Sequence, residues 1–159
     1  MTVTEKDIIV TVVSPDNQQV KYLVAILDRY QIFLYGINHC NLDSIDNLKK
    51  NQAFMLGAYD GEVLVGIGAI KLFDEYAEIK RMFVDKQYHG TGVAASILSG
   101  LELYARQHNK SRINLETGNR QFAAVRFYEK HGYTVVEKFG TYQTNLVSIY
   151  FEKLVTQRT

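Results

Sequence analysis

The chain has 159 residues, 47% of them hydrophobic and 22% charged, with 18 Lys and Arg against 17 Asp and Glu. These proportions fit one well-cored domain over residues 1–159, and a formal charge of +1 excludes a dominantly basic or acidic polymer-binding surface. The lone Cys40 excludes an internal disulfide, Glu5, Lys6 and Asp7 interrupt any signal-peptide core, and no apolar run is long enough to cross a bilayer, so a cytoplasmic protein binding neither nucleic acid nor membrane is expected.

"DIIVTVV" (7–13) alternates and is β-branched, which predicts a strand ended by Ser14-Pro15-Asp16. Val20, Leu23, Val24, Leu27 and Tyr30 or Gln31 then recur at helical spacing, with Gly36 as the stop. A short polar helix or turn, "LDSIDNLKKN", leads into two apolar runs that meet at Asp60-Gly61, a dipeptide suited to a two-residue hairpin. "AEIKRMFV" (77–84) is a further strand. Val93, Ala94, Ile97, Leu98, Leu101, Tyr104 and Ala105 form a helical stripe that closes near His108-Asn109, and Val93, Ile97 and Leu98 are assigned to the core. "RINLET" (112–117) reads as a strand parallel to 77–84, because a helix separates them. "QFAAVRFYEKHG" is a second helix on this side, with Lys130 and His131 in its last turn and Gly132 as the stop. "YTVVEKF" and "SIYFEKLV" form a closing hairpin. The order is β-α-α-β-β-β-α-β-α-β-β, an α/β chain with a central mixed sheet and helices on both faces.

Between strand and helix lies "QYHGTGVAA" (87–95), whose Gly90 and Gly92 open a turn of backbone N–H groups toward an anion at the helix start near Val93. The letters satisfy a dinucleotide fingerprint, and Glu116 stands at a suitable distance downstream. Against that reading, the loop follows a hairpin rather than the first strand of repeated βαβ units, and the preceding strand carries Glu78, Lys80 and Arg81. No Gly-Lys-Ser/Thr follows, which excludes a Walker loop. A pyrophosphate such as that of coenzyme A fits what is left.

The residues here resemble the GNAT superfamily of acyl-CoA-dependent N-acyltransferases. Gln87-Tyr88-His89-Gly90-Thr91-Gly92 matches its Q/R-x-x-G-x-G/A signature; "AEIKRMFVDKQYHGTGVAASIL" looks like its motif A and "QFAAVRFYEKHGY" like its motif B. The resemblance covers the chain beyond about residue 53 by motif and the rest by element order. It implies a GNAT fold, acetyl-CoA as acyl donor, no metal, and transfer of the acetyl group directly to a primary amine of a small-molecule or amino-acid-like acceptor in a ternary complex. Met82, Phe83 and Val84 fall where the family's fourth strand pairs with the pantetheine arm. Gln87, Tyr88, His89, Gly90, Thr91, Gly92, Val93 and Ala94 fall at the pyrophosphate, and Ala124, Phe127 and Tyr128 on the coenzyme side of motif B. Two positions depart from the pattern: the usual third-position arginine is His89, and the asparagine seven residues before the tyrosine is Gln121, with Asn119 nearby as its substitute. Many members pair, so the resemblance allows a homodimer, which no sequence feature decides.

Transfer to an amine needs a bound thioester, a neutral amine, a donor for the carbonyl oxygen and a proton for the leaving thiolate. An alkylammonium with a pKa near ~10.4 must first lose a proton. Glu78 matches the position of the base glutamate in the family's histone-acetylating branch; Glu116, at the end of "RINLET", is the other acid that reaches the cleft, as base or as amine partner. A backbone N–H around Met82 or Phe83 supplies the oxyanion donor. Tyr128 stands where many members keep a tyrosine beside the thioester sulfur, and it is the expected general acid. The acceptor side falls to "YLVAILDRYQIFLYGINHCNL" and "KFGTYQTNL", with Tyr30 and Tyr35 as contacts and Asp28 and Asp43 as candidate amine partners. His39-Cys40 suggests a covalent acetyl-cysteine, disfavoured because sequence neighbours seldom face each other productively. The rival from another class is a silent GNAT-fold module that binds acyl-CoA or a protein. A nucleic-acid surface is weaker still, since Arg112, Arg120, Arg126 and Lys130 are scattered rather than striped.

Overall fold

The computed structural model describes residues 8–37, 44–140 and 146–155. Its elements are β1 (Ile8–Val12), α1 (Gln18–Tyr35), α2 (Ile45–Lys50), β2 (Phe54–Asp60), β3 (Val63–Leu72), β4 (Ala77–Val84), a 3₁₀ turn (Lys86–Tyr88), α3 (Val93–Gln107), β5 (Arg112–Gly118), α4 (Phe122–Lys130), β6 (Thr134–Val136) and β7 (Ser148–Leu154). This is the order expected from periodicity. Asn17 starts α1 by accepting hydrogen bonds from the backbone N–H groups of Gln19 at 2.8 Å and Val20 at 3.3 Å, a cap that contributes about 1 kcal/mol.

The strands form one mixed sheet ordered β1-β2-β3-β4-β5-β7-β6. β1 to β4 are antiparallel neighbours, β4 and β5 are parallel across the α3 crossover, and β7 inserts between β5 and β6. The β2–β3 turn lies one residue later than the Asp60-Gly61 expectation. Asp60 pairs with Val63, so the two-residue loop is Gly61-Glu62 with Gly61 at φ +60°. A glycine at the first central position suits a type II′ hairpin turn.

Helices cover both faces. α1 and α2 pack Val20, Leu23, Val24 and Leu48 against Met55, Leu64, Ile67 and Ala69. On the other face α3 and α4 bring Val93, Ile97, Leu98, Leu101 and Tyr128 against Leu56, Val65, Ile70, Ile79, Leu115 and Phe151. Tyr30, by contrast, is 46% exposed and lies outside the α1 core stripe. α3 sits close on β3 because Gly68 has no side chain there: a Cβ would stand 2.4 Å from Met82 Sδ and 2.8 Å from Ile97 Cγ2.

Two irregularities position the site. β4 and β5 pair only from Ala77↔Ile113 to Ile79↔Leu115, after which β4 stays with β3 and β5 follows β7 as far as Gly118↔Ser148. The sheet therefore opens into a wedge beyond Ile79. Within that stretch β3 pairs with Lys80 and then with Phe83, leaving Arg81 and Met82 as a bulge with Arg81 at φ +57°.

Candidate active site

The wedge holds two cavities. One, of about 360 Å³, runs along Met82, Phe83 and Val84, past Tyr88, His89, Gly90 and Gly92, and is closed by Ala94, Ala95, Ala123, Ala124, Phe127, Tyr128, Lys130 and His131. The other, of about 70 Å³, lies between α1 and the β5 end and is lined by Leu27, Gln31, Ile79, Lys80, Arg81, Met82, Leu115, Glu116, Thr117, Gln121, Ala124 and Tyr128. Met82, Ala124 and Tyr128 belong to both, so the cavities meet across these three residues.

The glycine loop is built as an anion cradle. Gly90 and Gly92 take φ +77° and +89°, and Gly92 is the residue before α3, which has no side-chain cap of its own. A Cβ at either glycine would meet nothing within 4 Å, so both border open space at the positive end of a 15-residue helix. A pyrophosphate fits that space and those donors. Beside it His89 donates Nε2–H to the carbonyl of Val84 at 2.9 Å, which leaves Nδ1 as the other polar atom of the ring. Tyr88 hydrogen-bonds Asp60, and that bond, more than burial, raises its phenol above the usual range.

Along β4 the backbone of Met82–Val84 borders the larger cavity on the side where β5 has left, as a strand-like amide chain requires. Tyr128 is 6% exposed, and burial holds its hydroxyl protonated well above the ordinary tyrosine range. Among the described residues no hydrogen bond engages that hydroxyl.

The residues singled out from sequence divide accordingly. Met82, Phe83, Val84, Tyr88, His89, Gly90, Gly92, Ala94, Ala124, Phe127 and Tyr128 line the larger cavity. Gln87 is exposed, its N–H capped by Asp85 at 2.9 Å, and Thr91 donates its hydroxyl to the Tyr88 carbonyl; both shape the turn without lining that cavity. Val93 is 2% exposed in the core, as its place in the stripe implied. Of the two amides, Gln121 lines the smaller cavity and bonds Tyr35, whereas Asn119 turns to the Leu146 carbonyl at 3.2 Å and lines neither.

The two acids part company. Glu78 is 4% exposed, holds Lys80 at 3.3 Å and lines neither cavity. Glu116 lines the smaller one and accepts a hydrogen bond from Ser148 Oγ at 3.0 Å. Tyr35 covers Gly118 and accepts from the Arg120 N–H at 2.7 Å, bracing the mouth. Tyr30 lines neither cavity, and Asp28 is engaged by Arg81. His39, Cys40 and Asp43 lie outside the described residues. Lys130 and His131, read from sequence only as cations in the last turn of a helix, prove to be cavity wall; their place inside the motif B match was the available signal. Lys80, Arg81, Gln31 and Thr117 carried no such signal, since their exposure to the cleft depends on where β4 and β5 separate. Among the described residues no group of three His, Cys, Asp or Glu is arranged to hold a metal, and no helix is long and apolar enough to cross a membrane.

The family model described as "Acetyltransferase (GNAT) family" matches residues 22–133. An IAA acetyltransferase from Azospirillum brasilense is 34% identical over 142 residues, covering 88% of this chain and 93% of its own. Among solved structures, a Klebsiella pneumoniae chain assigned as an acyl-CoA N-acyltransferase superposes with a TM-score of 0.80 at 28% identity, covering 94% of this chain and 98% of that one. A Bacillus anthracis chain assigned as a streptothricin acetyltransferase, in complex with acetyl coenzyme A, gives a TM-score of 0.58 at 28% identity over 65% of this chain and 63% of that one.

Proposed function

As the chain belongs to the GNAT acetyltransferase family and is an acyltransferase that uses acetyl-CoA, we propose that it moves the acetyl group directly onto a primary amine of a small or amino-acid-like acceptor, with donor and acceptor bound together. One observation carries the reading: two cavities, one beside the anion cradle and one beside Glu116, meet at Met82 and Tyr128. Glycine-loop amides take the pyrophosphate, and the free side of Met82–Val84 takes the pantetheine amides. The thioester is thereby delivered to the junction.

There the amine nitrogen attacks the carbonyl carbon while a backbone N–H of the Met82 bulge receives the developing oxyanion. Glu116, directly or through a water, takes the proton the ammonium must lose, replacing Glu78, which is buried against Lys80 away from the cavity walls. The carbon–sulfur bond breaks, Tyr128 donates its hydrogen to the departing sulfur, and the second proton that the acylated nitrogen must lose restores the Tyr128 hydroxyl. Because burial raises the phenol, its first contribution is a hydrogen bond that strengthens as negative charge collects on sulfur. The smaller cavity, with Leu27, Ile79 and Leu115 opposite Gln31 and Thr117, suits a compact, partly apolar amine.

Thiol release from acetyl-CoA across a panel of amines tests the proposal. Glu116→Gln should lower kcat/KM for the amine at least about 100-fold, the lower end of the range for a general base, while calorimetric affinity for acetyl-CoA stays within twofold. Acetyl-CoA binding with no thiol release on any amine by the unaltered chain would instead indicate the silent module.

A further inference from the structure

The β4 residues packed on the α3 side fall at Ala77, Ile79, Met82 and Val84, a step of two, then three, then two, while Phe83 packs with the core under α1. The extra residue reverses the alternation of the strand. Ala77 and Ile79 face the α3 side, and so do Met82 and Val84 beyond the bulge, whereas Lys80 and Arg81 both turn toward the cavity under α1. A strand without the bulge would put Met82 on the acceptor side and Arg81 in the α3 core.

Two contacts hold the bulge, one on each face. On the α3 side Met82 Sδ occupies the space that a side chain at Gly68 would need. On the other side the guanidinium of Arg81, its side chain 4% exposed, bonds the carboxylate of Asp28 on α1. Arg81 keeps φ +57° although it has a Cβ, a conformation that crowds the neighbouring carbonyl and that glycine would take without cost. An arginine in that position makes sense as a tether. Asp28 follows Leu27 directly, and Gln31 lies one turn further along; both line the acceptor cavity, so one ion pair ties the acceptor wall to the backbone at the junction.

We infer that Asp28 is a positioning residue: through Arg81 it locks the β4 bulge, and so aims the Met82 backbone at the thioester carbonyl. The inference rests on the reading that this amide receives the oxyanion. It differs from a direct role of Asp28 on the amine, because it acts through the φ of Arg81 and is bypassed when that residue is glycine.

The test is a cycle of Asp28→Ala, Arg81→Gly and the double variant in the full chain, with kcat and KM for acetyl-CoA measured against an amine from the panel, and amide hydrogen exchange followed over residues 79–84 without ligand. Asp28→Ala should lower kcat about ten- to a hundredfold with less than a threefold change in KM for acetyl-CoA, and should speed exchange across 79–84. In the Arg81→Gly background the same substitution should change both readouts less than twofold. Equal effects of Asp28→Ala in both backgrounds would overturn the tether, as would unchanged exchange at 79–84 in Asp28→Ala. Gly68→Ala, which presses Met82 from the opposite face, should reproduce the exchange change with Asp28 intact, and serves if Arg81→Gly does not fold; unchanged exchange there would also count against a locked bulge. A chain that binds acetyl-CoA yet acetylates no amine counts against the transfer reading alone, since the exchange comparison needs no acceptor.

Discussion

Tyr88 donates its phenolic hydrogen to Asp60 Oδ2 over 2.6 Å, so the turn that enters the glycine loop is moored to the last residue of β2. The loop's other bonds are short-range, from its backbone turns and from His89 to the Val84 carbonyl and Thr91 to the Tyr88 carbonyl, and its donors must be in place before the anion arrives. Tyr88→Phe keeps the ring against the core and removes only this mooring. The expected result is an acetyl-CoA affinity weakened about three- to tenfold in calorimetry, with a more unfavourable binding entropy, because ordering the loop is deferred to the binding step.

Gly92 at φ +89° stands where the first, free N–H groups of α3 begin. An alanine there has room in the empty structure but takes a conformation costing about 1–2 kcal/mol, and its methyl projects into the cradle. Gly92→Ala should weaken CoA binding about tenfold or more while leaving affinity for pantetheine, which has no pyrophosphate, within twofold. Equal losses for both ligands would place the effect outside the cradle.

Tyr128→Phe should lower kcat about 100-fold with acetyl-CoA affinity within threefold, a split that separates help to the leaving group from packing. Since burial raises the hydroxyl's pKa, Tyr128 stays protonated through the alkaline range in which free tyrosine ionises near 10.0. The kcat profile of the unaltered enzyme should therefore show no fall assignable to Tyr128 between about pH 8 and 10.

Away from the cleft, Tyr133 gives its hydrogen to Glu102 Oε2 at 2.7 Å, and Lys153 Nζ lies 3.1 Å from the same oxygen. Burial first, and the charge of Glu102 second, raise the Tyr133 hydroxyl far above the tyrosine range. A raised folded value means stability is fully present below the unfolded pKa and is lost as pH climbs past it. Urea unfolding should show a free energy falling from about pH 10 upward, by at most about 1.4 kcal/mol per pH unit for each such tyrosine. Tyr133→Phe should cost about 1–2 kcal/mol at pH 7 and make that alkaline fall shallower.

The element order and the glycine turn before α3 were legible because their signals are local. Helical spacing at Val20, Leu23, Val24 and Leu27, the glycines at 90 and 92, and the stop at Gly132 each report a conformation set within one or two turns of chain. The Gly61-Glu62 loop was read one residue early because a hairpin's register depends on both strands together. Tyr30 was assigned to the acceptor side from its place on α1, yet it is 46% exposed and lines neither cavity. The bulge at Arg81 and Met82 left no local mark, because Met82, Phe83 and Val84 are apolar in a row and only the pairing with β3 shows which side each residue faces.

By itself, then, the chain's order of residues determined what kind of fold would form and where a positive-φ glycine turn would open the start of α3, since both follow from short-range periodicity and backbone freedom. Only the tertiary structure decided which of the two acids lines the smaller cavity. Glu78 lies where β4 and β5 are still paired, and Glu116 lies just beyond their last pair, Ile79↔Leu115, where β4 enters its bulge with β3 while β5 continues with β7. No local pattern encodes where two strands part, because the parting depends on the register of strands that are distant in sequence.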